Sequence, residues 1–314
     1  MYVIADIGSN WFTKQDCLEG IIGAKRAGAD CVKFQLFDHK ALYGYEDDES
    51  KLVSLPSDWI KPLARYAKSL NISFMCSAFS AELLDVVDPH VERHKVASSD
   101  LLNPELLTAI AKTHKPVILS CGGHNLPEIR MALTFFRDYH PSEIALMYCV
   151  SEYPSYEHDI DNLMRMSSEL PFEGELGYSD HSKDVFCAPC YAAMLGATVL
   201  EKHLTCLKTN KITPDKRHSL TVDQFYRMCL KVKSPEVFMT PKERDMKHQH
   251  KRMAVATRFI AGNTKLEYGV NWGWFRAQEY VEKPLTLLDS LKLQDRESNC
   301  FISKGQAIEL ECLK

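Results

Sequence analysis

Gly177-Tyr178-Ser179-Asp180-His181 and Val199-Leu200-Glu201-Lys202-His203 are two short runs that begin small or apolar and end on a histidine. They predict strands over Glu175–Ser179 and Val199–His203, and amphipathic stretches at helical spacing lie between and after them. The same unit recurs upstream about every 25 to 40 residues. The pattern predicts earlier strands over Tyr2–Ile7, Cys31–Phe37, Ile72–Ala78, His94–Ser98, Pro116–Ser120 and Ile144–Val150. It predicts helices over Lys14–Ala27, Ser57–Ser69, Ala81–Val87, Pro104–Thr113, Leu126–Arg137, Ile160–Ser168, Asp184–Leu195 and Val222–Val232. Asn103 before Pro104 and Glu105 is a helix start: a capping side chain, a first-turn proline and a favourable charge. Roughly eight such units predict an α/β fold, one (β/α)8 (TIM) barrel with right-handed crossovers. A doubly wound open sheet is the alternative. It loses weight because Asp6-Ile7-Gly8-Ser9-Asn10 stands where a Gly-x-Gly-x-x-Gly turn would follow the first strand.

The repeating units occupy residues 1–234. Residues 235–252, Pro-containing and dense in charge (Lys242, Glu243, Arg244, Asp245), read as a linker. Residues 253–314, short apolar runs punctuated by Gly262, Gly269, Gly273 and Gly305, read as a small β-rich domain. About 60 residues is near the lower size for independent folding, so this domain is expected to lean on the barrel or on a second subunit.

A formal charge of −4 gives no electrostatic case for nucleic acid. No apolar run of about 18 residues occurs, and Met1 leads straight into a strand; neither a membrane span nor secretion is expected, and the expected compartment is cytoplasmic. The 11 cysteines are odd in number and sit mostly in apolar runs, as free buried thiols do. Cys187-Ala188-Pro189-Cys190 has Cys-x-x-Cys spacing but no second pair, which argues against zinc or redox chemistry. The acidic stretch 45–50 reads as a solvated surface or lid, lacking the glycine and final glutamate of a calcium loop.

Catalytic groups of barrels gather where strands end. Here those ends carry Lys33, Gln35, Ser77, Lys95, Ser98, Asp100, Ser120, Ser151, Tyr153, Ser179, His181, Lys202 and His203. Singly, each is more often a satisfied structural group. Together, lysines and hydroxyls describe a pocket for a phosphate and a carboxylate, since ammonium groups supply charge and hydroxyls supply directed donors. Such a cluster is costly to bury without an anionic ligand. His181 and His203, on adjacent strands, are placed either to bind one divalent ion with open positions for water and substrate, or to serve as hydrogen-bonded core histidines. Asp180 and Glu201 are then either orienting partners of those rings or salt-bridge partners at the rim.

Several ordered motifs resemble the N-acetylneuraminate (sialic acid) synthase family: Asp6 to Asn10, Ala27 to Gln35, Lys95 to Asp100, Lys115 to Gly122, Cys149 to Pro154, Gly177 to His181 and Glu201-Lys202-His203. The tail, with Arg252 to Ala256, Asn271 to Arg276 and Ile302 to Gln306, resembles that family's C-terminal antifreeze-like (SAF) domain. The resemblance implies condensation of phosphoenolpyruvate with N-acetylmannosamine or a 2,4-diacetamido hexose. It implies phosphoenolpyruvate on Lys33, Ser77, Lys95, Ser98, Ser120, Ser151 and Ser179. It further implies Mn²⁺ or Mg²⁺ on His181 and His203, and sugar hydroxyls on Gln35, Tyr153 and Asp215. Asp100 stands where the family has its active-site glutamate, Ser77 where it usually has threonine and Ser151 where it usually has asparagine. A domain-swapped homodimer is implied, with Arg276 reaching the sugar's acyl group. Two other classes stay open: a homologue that binds these ligands without turnover, and a Schiff-base aldolase using Lys95 or Lys202.

Overall fold

The structure, a computed structural model, describes residues 1–38, 54–138, 143–156, 159–170, 172–208, 212–234, 253–275, 285, 293 and 296–314. The acidic stretch 45–50, the linker 235–252 and Arg276 lie outside the described residues. The chain divides into two compact units, Met1–Pro235 and Glu236–Lys314.

In the first unit strands and helices alternate as the pattern predicts. They are β1 (Tyr2–Asp6), α1 (Lys14–Arg26), β2 (Cys31–Leu36), α2 (Ile60–Ser69), β3 (Ser73–Ala78), α3 (Ala81–Val87), β4 (His94–Val96), α4 (Pro104–Lys112), β5 (Val117–Ser120), α5 (Leu126–Asp138), β6 (Ile144–Cys149), α6 (Asn162–Glu169), β7 (Glu175–Asp180), α7 (Cys187–Met194), β8 (Val199–Thr205) and α8 (Val222–Lys233). The ladder is parallel throughout and runs β3-β2-β1-β8-β7-β6-β5-β4, with a short β9 (Leu220–Thr221) beside β8. Its two ends, β3 and β4, lie next to each other, so the sheet is a nearly closed TIM barrel. Helix starts are set locally. Asn103 accepts from Leu106 N at 3.2 Å, and Thr13 with Asp16 and Thr221 with Gln224 form capping boxes.

β4 ends at Val96, short of the expected Ser98, because Ser98–Asp100 winds into a 3₁₀ turn in which Asp100 N donates to Ala97 O at 3.0 Å. All eleven cysteines are free. No described helix is long and apolar enough to cross a membrane.

Side chains alternate across each strand, which sorts the polar residues. Ile4, Cys31, Met75, Ile118, Ala145, Met147 and Val199 pack together as the core inside the barrel. Two residues further along the same strands, the inner face therefore presents Asp6, Lys33, Ser77, Ser120, Cys149 and Glu201, and two beyond some of these Gln35 and His203. Val3, Val32, Phe34, Val96, Leu119, Leu200 and Leu204 face outward, in the larger core shared with the helices. By the same count Lys202 belongs to the outer face. It is fully buried there against Asp180, and its Nζ donates to Ser182 O at 2.8 Å. The expectation that Lys202 sits at the barrel mouth is thus corrected: Glu201 and His203 share the inner face and Lys202 between them cannot.

The second unit contains the antiparallel pair β10 (Met253–Ala256) and β11 (Trp272–Phe275), with bridges Val255 to Ala307, Ile260 to Ile302 and Ser298 to Leu313. Ala254, Ile260, Leu266, Trp272, Ile302 and Ile308 form its core.

Candidate active site

Register brings the inner-face charges together. β1 pairs Asp6 with Lys33 of β2 and with His203 of β8, and β7 pairs Ser179 with Glu201. Lys33 Nζ lies 2.8 Å from Asp6 Oδ2 and 3.5 Å from Glu201 Oε1, and Gln35 Nε2 donates to Asp6 Oδ2 at 3.0 Å. Glu201 Oε1 accepts from Ser179 Oγ at 3.0 Å and lies 3.7 Å from Lys95 Nζ. Two ammonium groups and two carboxylates thus share one buried cluster.

Their protonation follows from that sharing. Burial pushes Asp6 and Glu201 up, but Lys33, joined by His203 at Asp6 and by Lys95 at Glu201, holds both below their usual range. For Lys33, burial is outweighed by Asp6 and Glu201, and the ammonium is held above its usual range. Lys95 differs. Burial outweighs Glu201, and Lys95 lies below its usual range. It is the less compensated of the two cations.

Three imidazoles stand beside this cluster. The ring centroids of His181 and His203 are 6.0 Å apart, and those of His203 and His218 are 4.5 Å apart. His181 Nδ1 hydrogen-bonds Val150 O at 2.7 Å, and its Nε2 lies 3.3 Å from Ser179 Oγ. Burial, and then the neighbouring His203, pull both His181 and His218 down to about 4, so both rings are neutral near pH 7. His203 Nδ1, both ring nitrogens of His218, Ser77 Oγ and Glu201 Oε2 are buried without a hydrogen-bond partner. Unmet buried polar atoms cost about 1–3 kcal/mol each, which makes these atoms candidates for ligand contacts.

The Gly8-Ser9-Asn10 turn after β1 acts as a clamp on the segment after β8. Ser9 N and Oγ donate to Asp215 Oδ2 at 2.6 and 2.9 Å. Asn10 Nδ2 donates to Leu204 O and Ser219 Oγ at 3.1 and 2.7 Å, and Thr213 Oγ1 donates to Asn10 Oδ1 at 2.7 Å. Gly8 has φ +51°, and a Cβ there would collide with Asp215 Oδ2. This is what the Asp6-Ile7-Gly8-Ser9-Asn10 motif does in place of gripping a dinucleotide.

A cleft of about 720 Å³ opens over these groups. Among the expected site residues Gln35, Ser98, Ser151, Tyr153, His203 and Asp215 line it. Lys33, Lys95, Ser77, Ser120, Ser179 and His181 are buried and do not line it. Lys33, Lys95, Ser179 and His181 connect to it through the cluster just described. Asp100 is buried and accepts from Ser99 Oγ at 2.9 Å and Asn103 Nδ2 at 3.1 Å; Ser99 lines the cleft. Ser98 Oγ accepts from Gly122 N at 3.1 Å and touches Cys149 Sγ at 3.2 Å. Tyr153 places its ring 4.2 Å from His181. His218 was not expected from the sequence. Its signal was the spacing Asp215-x-x-His218 on a 3₁₀ turn, where residues three apart share one side.

A model described as the NeuB family matches residues 21–244. The spore coat polysaccharide biosynthesis protein SpsE of Bacillus subtilis is 31% identical over 71% of this chain, an alignment that spans 64% of that protein. The N,N'-diacetyllegionaminic acid synthase of Campylobacter jejuni is 31% identical over 74% of this chain and 75% of its own length. Among solved structures, the N-acetylneuraminic acid (sialic acid) synthetase of Leptospira borgpetersenii, in complex with citrate, superposes with a TM-score of 0.69 at 26% identity, covering 78% of this chain and 90% of that one. The barrel, the ordered motifs and these matches agree: the chain belongs to the NeuB family.

Proposed function

We propose that this chain condenses phosphoenolpyruvate with an N-acetylated amino-sugar aldose, N-acetylmannosamine or a 2,4-diacetamido hexose, to a nine-carbon 2-keto-3-deoxy acid and phosphate. The observation that carries the reading is the convergence, at one barrel mouth, of two buried lysines, a row of hydroxyls and neutral imidazoles. The Campylobacter legionaminic acid synthase and the Leptospira sialic acid synthetase, relatives of this chain, support the reaction class.

Lys95, short of counter-charge, takes the anionic end of phosphoenolpyruvate, and Lys33, Ser77, Ser98, Ser120, Ser151 and Ser179 complete the donor set. Gln35, Tyr153 and Asp215 serve the sugar hydroxyls. C3 of the enol attacks the aldehyde carbon, water adds at C2, and the bond from C2 to the bridging oxygen breaks as the C2 carbonyl forms. Phosphate leaves with that oxygen. Asp100, fixed by Ser99 and Asn103, supplies negative charge toward the cation developing at C2 and orients the water. The imidazoles fit a divalent ion: Val150 O holds His181 Nδ1–H, leaving Nε2 as the lone pair, and His203 Nδ1 is unmet. Mn²⁺ or Mg²⁺ on His181 and His203 would supply Lewis-acid polarisation of the aldehyde. The 253–314 unit is assigned as the antifreeze-like capping domain of a domain-swapped homodimer, with Arg276 for the acyl group.

One observation favours a second reading. A desolvated lysine with a lowered pKa suits a Schiff-base aldolase, and Lys95 is such a lysine. Phosphoenolpyruvate labelled with ¹⁸O at the bridging position separates the two. The synthase puts the label in phosphate and leaves nothing for borohydride to trap. Unlabelled phosphate, or a pyruvate adduct on Lys95, would contradict it.

A further inference from the structure

We infer that Cys300 and Cys312, in the second unit, are a modification site: a paired dithiol that closes to a disulfide and ties the end of the chain to the segment 296–300. Neither residue takes part in the synthase chemistry. An irregular pairing brings the two positions together. Ser298 bridges Leu313 antiparallel, Asn299 N donates to Cys312 O at 2.8 Å, and Lys314 N donates to Glu297 O at 2.9 Å. In a regular ladder Cys312 would share a face with Asn299, and Cys300 would point the other way. The chain instead bends at Asn299 and Cys300, where Cys300 N donates to Ser298 Oγ at 3.3 Å, and winds into a 3₁₀ turn at Leu310–Cys312. Both side chains, half-buried, pack against the core of the second unit, and their thiols hydrogen-bond each other.

From a thiol–thiol hydrogen bond, an S–S bond of about 2.05 Å asks for side-chain rotation rather than backbone movement. The intervening residues 301–311 are also held before closure. Ile302 bridges Ile260, Ala307 bridges Val255, and Gly305, at φ +85°, turns the chain between them. Burial, then the hydrogen bond with Cys300, push the Cys312 thiol up to about 11, so Cys312 keeps its proton near pH 7 and the pair rests open in a reducing medium. Among the described residues no third histidine, cysteine or carboxylate completes a metal site with the two thiols. Closure takes a low-molecular-weight disulfide, oxidised glutathione, as its oxidant. One cysteine thiolate attacks a sulfur of that disulfide and expels one glutathione thiolate; the other cysteine, its proton passed to solvent, displaces the second. The protein gives up two electrons and two protons, and the glutathione disulfide becomes two thiols.

The test exposes full-length protein to glutathione buffers of rising oxidised fraction, alkylates the remaining thiols and maps the digest by mass spectrometry. The peptides carrying Cys300 and Cys312 are expected to appear joined, lighter by two hydrogens than the reduced pair, and to separate again in dithiothreitol. In the oxidised protein, hydrogen exchange at the amides of Asn299 and Lys314 is expected to slow at least about 10-fold, because a closed loop restricts the opened state. Cys312→Ser is expected to abolish both effects. Should that variant not fold, as circular dichroism would show, Cys300→Ala answers the same question. Two cysteines that alkylate, or that each carry one glutathione, at every buffer ratio would overturn the site. A link between two chains rather than within one, seen on non-reducing electrophoresis, would overturn it as well. A bond that leaves the exchange of Asn299 and Lys314 unchanged would overturn the tie.

Discussion

Lys33 Nζ lies 2.8 Å from Asp6 Oδ2 inside the barrel, and both side chains are almost wholly buried. Removing one partner of such a pair leaves the other charge stranded. Lys33→Met is therefore expected to lower stability by about 3–5 kcal/mol, read as a shift in the urea midpoint. A loss under 1 kcal/mol would mean that Asp6 can go uncompensated.

Lys95 predicts the opposite balance. Glu201 keeps Lys33 as a partner when Lys95 is gone, so Lys95→Met is expected to cost less stability than Lys33→Met. Its loss falls on phosphoenolpyruvate: a charged hydrogen bond of about 1.5–3 kcal/mol corresponds to roughly 10- to 100-fold in KM. Steady-state kinetics with the sugar held saturating checks this. An unchanged KM would remove Lys95 from the anion site.

Gly8→Ala tests the clamp. A positive φ disfavours any side chain, by roughly 1–2 kcal/mol, and the added methyl displaces the carboxylate that Ser9 holds. Turnover is expected to fall far more than the melting temperature. Equal activity would mean that Asp215 need not sit where Ser9 puts it.

His94 supplies a pH dependence away from the site. Burial pulls its pKa below 6.5, only partly offset by Asp88, whose Oδ1 lies 3.0 Å from His94 Nε2 and 2.9 Å from Lys115 Nζ. The unfolded chain takes up a proton near pH 6.5 before the folded chain does, so stability falls as pH drops from about 6.5 toward the lowered value. Melting curves between pH 7.5 and 5 are expected to drop less steeply for His94→Asn than for wild type. A steeper drop would reverse the sign of the shift.

Most of the barrel is legible in the chain because periods of 2.0 and 3.6 are local properties, and α3 matches its expected span, Ala81–Val87. Face assignment is legible too, but only when the count is carried through. Naming strand ends without their faces placed Lys202 at the mouth, although Glu201 and His203 on either side of it exclude that. β4 stopped early because a 3₁₀ turn at Ser98–Asp100 competes with the strand. The grip of Ser9 on Asp215 spans the chain from the first strand to the last, and no local pattern announces it. His218 reaches the site from the end of the short 3₁₀ turn Pro214–Arg217, where the three-residue spacing from Asp215 is the one sign of it and the strand and α-helix periods say nothing.

Phosphate release from phosphoenolpyruvate, measured over a panel of N-acetylated hexoses with Mn²⁺ and again with excess EDTA, tests the central claim most directly. The account predicts release that requires one sugar and stops with the chelator. Saturable phosphoenolpyruvate binding with no release for any sugar, or release that EDTA leaves untouched, would contradict it.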